Sequence, residues 1–250
     1  MTSAHRFEIL CADDPRLASR YDDLAHAEAQ LHAAELDHPE TEAARRRILD
    51  FCTGHRGETT RQPDPSNADG SRIDGSAVAR SGADETGIGE SGFGESGSGE
   101  PNALHRGCLA GHLTGSALVV DAAGERTLLL HHRKLDRWLQ PGGHADGDGN
   151  LAAVALKEAT EETGIEGLRV VVPAVDIDVH AIPARPGEPE HLHLDVRFLV
   201  LAPSGAEAAH NHEATDARWA TADDPAIVGS SELNRAVTRA LAIAQVLTTS

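Results

Sequence analysis

Glu158, Glu161 and Glu162 stand at positions i, i+3 and i+4, and a glycine-rich run from Leu139 to Asn150 precedes them. On a helix this spacing projects all three carboxylates from one face. That face lies near the helix C-terminal end, where the macrodipole and mutual repulsion each oppose negative charge by about a few tenths of a kcal/mol. A cation is therefore expected beside it. Lys157 is the only basic residue nearby in sequence, and hard oxygen donors at this density suit Mg²⁺ or Mn²⁺. The alternative for the glutamates alone is a solvated acidic helix face without metal.

The helix that must carry them is marked at both ends. Asn150 is placed as its N-cap, Leu151, Ala152, Ala155 and Ala159 give an apolar stripe, and Gly164 is placed for a left-handed C-terminal cap. Around it the chain reads as short strands. Ser116 to Val120 and Thr127 to His131 flank a turn at Asp121 to Glu125, which predicts a hairpin. Arg169 to Val172 and Val175 to His180 are strand candidates on either side of Pro173. Leu192, Leu194, Val196 and Phe198 alternate with His191, His193, Asp195 and Arg197, predicting a strand with one apolar and one polar face. A closing helix from about Glu232, capped by Ser231, places Leu233, Val237, Ala240, Leu241 and Ala244 on one face. Together these elements predict an α/β domain over residues 105–250.

Two segments precede that domain. Leu17, Tyr21, Leu24, Ala27 and Leu31 fall on one helical stripe, and Pro39 with Glu40 and Glu42 opens a second helix that Gly54 stops. Residues 1–55 are thus predicted as a helical hairpin, too small to hold a core alone, that packs on the rest of the chain or on a second copy. Residues 56–104 are rich in Gly, Ser and acidic groups and are predicted as a flexible linker, with docking of a partner through Phe93 as the alternative. The 250 residues carry a net charge of -18 and only 3% aromatics, which disfavours duplex nucleic acid and leaves few platforms for stacking single strands. Cys11, Cys52 and Cys108 show no CxxC spacing, and no run reaches about 18 apolar residues. A disulfide scaffold, a signal peptide and a membrane span are not expected, and a cytoplasmic location is.

The run around the glutamates resembles the box of the Nudix hydrolase family. Gly143 opens it, and Lys157, Glu158, Ala159, Thr160, Glu161, Glu162, Thr163, Gly164 and Ile165 follow in register. Gly149 stands where the box has its first glutamate, and Lys157 where it has arginine; Asp146 and Asp148 are candidate substitutes for the missing acid. The resemblance spans roughly His112 to Val246 and implies a Nudix-type α/β/α sandwich with a mixed sheet. It implies a hydrolase that cleaves the pyrophosphate linkage of a nucleoside diphosphate joined to another moiety, by water attack on phosphorus with Mg²⁺ or Mn²⁺. ADP-ribose, a nucleotide sugar and a nucleoside triphosphate all answer that description. By the same resemblance Glu158 and Glu162 are the leading metal ligands, Glu161 is a further ligand or base, and the Gly142 carbonyl is an additional donor. Lys157 would steady the glutamates. Glu213, in the loop from Asn211 to Thr215, is the candidate general base from beyond the box, with an exposed loop carboxylate as the alternative. The competing function is a non-catalytic nucleotide-sensing module that acts through a partner. An isomerase of the same fold would need a catalytic cysteine for which Cys108 has no context.

Histidine is abundant around the box: His131, His132, His144, His180, His191, His193 and His212. One reading is a second, transition-metal site; the other is hydrogen bonding to substrate phosphates or among the imidazoles. Arg133, His144 and Arg197 are candidate substrate contacts, with surface ion pairing as the alternative for the arginines. Trp138 and Trp219 are candidates for base stacking or for core packing. The expected partner is a small nucleotide-derived substrate, and a homodimer is a candidate assembly.

Overall fold

A computed structural model of the chain describes residues 7–57 and 101–249. In chain order its elements are β1 (Glu8–Cys11), α1 (Leu24–Ala33), α2 (Pro39–Gly54), β2 (Gly111–Val120), β3 (Thr127–His132), β4 (Arg137–Leu139) and β5 (Gly142–His144). There follow α3 (Leu151–Thr163), β6 (Arg169–Ile182), β7 (His191–Leu201), β8 (Ala214–Ala220), α4 (Pro225–Val228) and α5 (Ser231–Thr248). The eight strands form one mixed sheet in the order β1-β6-β7-β2-β3-β4, with β5 joined to β2 and β8 to β3. Among the described residues only β2 and β7 run parallel, paired from Gly111 opposite Leu192 to Val120 opposite Leu201.

Both faces of this sheet are covered. Leu113, Ala117 and Val119 of β2 and Leu194, Val196 and Phe198 of β7 pack into one core with α1, α2 and α3. Leu118, Val120, Leu199 and Leu201, on the opposite face, pack under α5. The result is the expected α/β/α sandwich. No helix among the described residues is long and apolar enough to cross a membrane.

The N-terminal region departs from its sequence reading in ways that matter for the site. β1 was not anticipated, since four residues carry little periodic signal and its partner β6 lies about 160 positions downstream, pairing Glu8 with Val172. The predicted first helix is also shorter than its stripe. Asp23 caps α1 by accepting the His26 N–H at 3.0 Å, so the helix begins at Leu24. Leu17 sits in a short 3₁₀ turn, and Tyr21 is exposed and bridges to Asp148. Ala27 and Leu31 of α1 and Ile48 and Cys52 of α2 are buried in the same core as α3, so the helical hairpin packs on the rest of the chain.

Most of the linker expected over residues 56–104, namely residues 58–100, lies outside the described residues. At its downstream border, however, Ala103 and Leu104 are fully buried, and the Ala103 N–H donates to the His55 carbonyl at 3.0 Å. The strand candidates flanking Pro173 form the single strand β6, with a register shift against β7 between Val171 and Asp176. The last helix is capped by Ser230, one residue before the expected cap.

Candidate active site

The helix α3 forms as its sequence predicts. Asn150 accepts the Ala153 N–H at 3.4 Å at the start, and Gly164 turns left-handed at φ 64° at the end. β5 is held antiparallel to β2, opposite Gly115 and Ser116, and brings Gly142 and Gly143 up to the glutamate face. The Gly142 N–H donates to Glu162 Oε2 at 3.1 Å. At Gly143 a Cβ atom would stand 2.4 Å from the Glu158 carboxyl carbon, so only glycine lets that carboxylate lie against the strand.

Glu158 and Glu162 are thereby largely removed from water. Burial pushes the Glu162 carboxyl up to about 7, and the neighbouring charges of Glu158, Glu213 and Glu161 push in the same direction. Burial likewise raises Glu158, against the pull of Lys157. The Lys157 ammonium stands 3.3 Å from Glu158 Oε1 and 3.8 Å from Glu161 Oε2. Glu161 itself is mostly exposed. The three acids and Lys157 therefore gather as the spacing predicts, with Glu162 the most deeply perturbed.

The loop holding Glu213 closes over the end of α3. The Asn211 N–H donates to the Glu162 carbonyl at 2.9 Å, which satisfies one of the carbonyls a helix end leaves open. Asn211 Oδ1 in turn accepts the Glu213 N–H at 2.8 Å. Glu213 is exposed, and its charge is felt at Glu162. Arg133 shapes this loop from below: its guanidinium donates to the His212 and Ala214 carbonyls at 3.0 and 3.1 Å. Its donors are thus turned toward the backbone of the loop.

The position of the absent box glutamate has a structural explanation. Gly149 donates its N–H to the Arg20 carbonyl at 2.9 Å, and a Cβ there would lie 2.0 Å from the Asp23 carbonyl oxygen. The N-terminal segment occupies the space that a side chain would need. The two candidate substitutes are partly engaged elsewhere: Asp146 forms a two-point pair with Arg106 at 2.7 Å each while its charge still acts on Lys157, and Asp148 Oδ1 accepts the Arg20 and Asn150 N–H groups. Asn150 further ties the two regions by donating to the Arg16 and Ala18 carbonyls at 2.8 and 3.0 Å. Gly149→Ala is accordingly expected to destabilise the protein by about 1–3 kcal/mol, because the clash is with backbone that cannot turn aside. A thermal melt unchanged from wild type would show that this packing is loose.

The polar side of β7 is not a solvated face, and this corrects the reading of Arg197. Along that face β7 presents His191, His193, Asp195 and Arg197, then the apolar Leu199 and Leu201, while β2 presents His112, Thr114 and Ser116, then Leu118 and Val120. Arg197 is 5% exposed and donates to Asp195 at 2.8 Å, Asp176 at 3.0 Å and Asp178 at 3.3 Å. A guanidinium this deeply enclosed, and paired with three carboxylates, is not placed to meet a substrate phosphate. Alternation shows that a strand has two faces, but not that the polar one meets water.

At the open end of this stripe stand His112, His144, His180, His191 and His193. His144 and His193 bring their Nε2 atoms to 3.3 Å. Burial lowers His144 to about 4 and His193 to about 2, helped at His144 by Arg106 and at His193 by the surrounding imidazoles. His112 was not singled out in sequence; its position two residues before Thr114, in phase with Ser116, is the signal that could have found it. His131, His132 and His212 are not among the ring contacts of this cluster; His131 instead hydrogen-bonds Thr215 and lies against Trp138. Trp138 and Trp219 are partly buried against the two cores, and the Arg218 guanidinium lies 4.0 Å over Trp138.

A glycine strand that seats two half-buried glutamates of a capped helix, in a mixed sheet covered on both faces, defines an α/β class built around an acidic pocket. The chain belongs to the Nudix family: the family profile of the NUDIX domain matches residues 112–241, a little over half of the chain. A comparison with curated proteins finds no match. Among solved structures the chain is similar to a NUDIX-family hydrolase from Clostridium perfringens, at 19% identity and a TM-score of 0.38, covering 54% of this chain and 97% of that one. It is also similar to an Ap4A hydrolase from C. elegans, at 19% identity and a TM-score of 0.42, covering 51% and 93%. The dihydroneopterin triphosphate pyrophosphohydrolase of E. coli gives 17% identity, a TM-score of 0.38 and coverage of 55% and 96%. At these values the structural likenesses carry no inference about substrate.

Proposed function

We propose that this Nudix chain is a divalent-cation-dependent pyrophosphohydrolase acting on a nucleoside diphosphate joined to another moiety. The observation that carries the reading is the pair of half-buried carboxylates, Glu158 and Glu162, seated on the glycines of β5 with both acidities weakened by partial burial. Two desolvated acids this close need a cation, and an all-oxygen donor set fits Mg²⁺ or Mn²⁺. When bound, that cation would neutralise phosphate oxygens and acidify the attacking water. Glu158 and Glu162 would hold it, with the Gly142 carbonyl as a further donor. Lys157 lies between Glu158 and Glu161 and would fix their orientation. Glu161 is the third ligand or a proton acceptor, and Glu213, from its pinned loop, would accept the proton of the water. His144 and Arg133 are not assigned to substrate in this scheme.

The test is hydrolysis of a substrate panel with Mg²⁺ and with Mn²⁺, covering nucleoside triphosphates, dinucleoside polyphosphates, ADP-ribose and nucleotide sugars. Release of a nucleoside phosphate from at least one class is expected. No release from any class would overturn the proposal in favour of a sensing module.

Gly143→Ala gives a sharper check of the geometry. The tip of Glu158 can swing away from the new methyl group, so the fold should survive. A displacement of about 1 Å at a reacting centre costs about 100-fold, and turnover should fall by that order. Normal turnover at the wild-type Mg²⁺ requirement would detach Glu158 from the reaction.

A further inference from the structure

We propose that His112, His144 and His193 form a site for a transition-metal ion of the zinc class, separate from the glutamate pocket. One ring nitrogen from each lies within 4.8 Å of the others. The Nε2 atoms of His144 and His193 are 3.3 Å apart. Two nitrogens each about 2.0–2.1 Å from a tetrahedral ion stand about 3.3–3.4 Å apart, so this pair already has the spacing of two ligands.

The third histidine supplies an independent observation. His112 is 3% exposed, and neither of its ring nitrogens makes a hydrogen bond of good geometry, although the Cys108 backbone exerts some pull. The Cys108 backbone engages one ring nitrogen at most, so this buried imidazole keeps a nitrogen without a partner, which calls for a ligand. Its ring centre is 4.8 Å from that of His144 and 5.2 Å from that of His193. His191 packs flat against it at 4.9 Å and is itself fixed by donating Nδ1–H to the Pro189 carbonyl at 2.9 Å.

The sheet explains the convergence. His112 pairs with His193 across the parallel strands β2 and β7, and His144 of β5 lies opposite Thr114, one step along the same face. Gly143 meets Glu158 beside α3, while the neighbouring His144 side chain belongs to the face away from that helix. The two sites are therefore on opposite sides of β5. Their chemistry differs as well: imidazoles select zinc, copper, nickel or iron, whereas the glutamate oxygens select magnesium or manganese. Glu188 adds negative potential at His112 and His144, and the nearby Arg106 is tied to Asp146. His144 and His193 are only half-buried, which leaves a path for the ion.

The experiment titrates Co²⁺, and in parallel Zn²⁺, into chelator-stripped full-length protein without a polyhistidine tag, in excess Mg²⁺ to fill oxygen sites. One ion per chain and the visible absorption of low-coordinate Co²⁺, displaced by Zn²⁺, are expected. Loss of an outer partner alone costs about 10- to 100-fold in affinity, so His193→Gln and His112→Gln should each cost at least about 100-fold, while Glu162→Gln retains binding. Absence of Co²⁺ and Zn²⁺ binding by the wild-type chain would overturn the proposal. So would binding that survives both histidine substitutions, or that disappears in Glu162→Gln. If the buried His112→Gln fails to fold, the half-buried His193→Gln and the wild-type stoichiometry decide.

Discussion

Glu162→Gln is expected to lower turnover by at least about 100- to 1,000-fold and, in the metal-free protein at pH 8, to melt no lower than wild type. The first effect follows from removing a charged donor from the acidic pocket. The second follows from where the group sits. Its carboxyl has an ordinary value of 4.5 but is pushed up to about 7 by burial, with Glu158, Glu213 and Glu161 adding to the shift. The folded state thus favours the protonated form. The stability linked to this group is fully present below about 4.5, declines as the pH rises and is lost above about 7. Glutamine keeps an oxygen for the Gly142 N–H and carries no charge, so the variant should escape that decline. Melts in chelator at pH 5 and pH 8, beside steady-state kinetics in Mg²⁺, read both effects. Near-normal kinetics would remove Glu162 from the site, and a variant less stable than wild type at pH 8 would contradict the burial argument. Stability gained as function is lost is the usual mark of a group held for chemistry.

Arg197→Met should destabilise the fold by about 3–5 kcal/mol, which for a chain of this size is a fall of about 6–20 °C in Tm. The guanidinium is the shared cation of Asp176, Asp178 and Asp195, and the first and last of these are buried. Asp195 has other partners, accepting from the Thr114 and Ser116 hydroxyls at 2.9 and 2.8 Å, but these are neutral. Without Arg197, Asp176 and Asp178 keep Arg235, and Asp178 also His180, but Asp195 is left as an uncompensated charge. Adding Asp195→Asn to Arg197→Met should therefore recover part of the loss, a non-additivity expected of groups in one network. A single variant that melts within about 2 °C of wild type would show that the network contributes little.

These two residues mark what could and could not be read from the sequence. Glu162 was legible because its signals are local: a cap at Asn150, an apolar stripe, a stop at Gly164 and a fixed spacing to Gly143. Each works within a few residues, and together they place the acids on one face before any tertiary contact is known. Arg197 was not legible as a buried cation, because its three partners come from β6 and from its own strand, and only the pairing register brings them together. The same holds for His112 and for the backbone of residues 16–23, whose partners lie more than 120 positions away. The replacement of the first box glutamate by Gly149 looked like a defect in sequence. In three dimensions it is the space through which the N-terminal segment reaches the loop before α3.

The hydrogen bond between Ala103 and His55 gives residues 58–100 the status of a cassette. Both borders are anchored to one core and held close together, so whatever is spliced between them adds a closed loop to the chain rather than a spacer between independent bodies. Closing a loop costs only about 0.6 kcal/mol for each doubling of its length. Exchanging the 58–100 segment for a Gly-Ser segment of about the same length is therefore expected to leave the melting temperature almost unchanged, as a thermal melt would read.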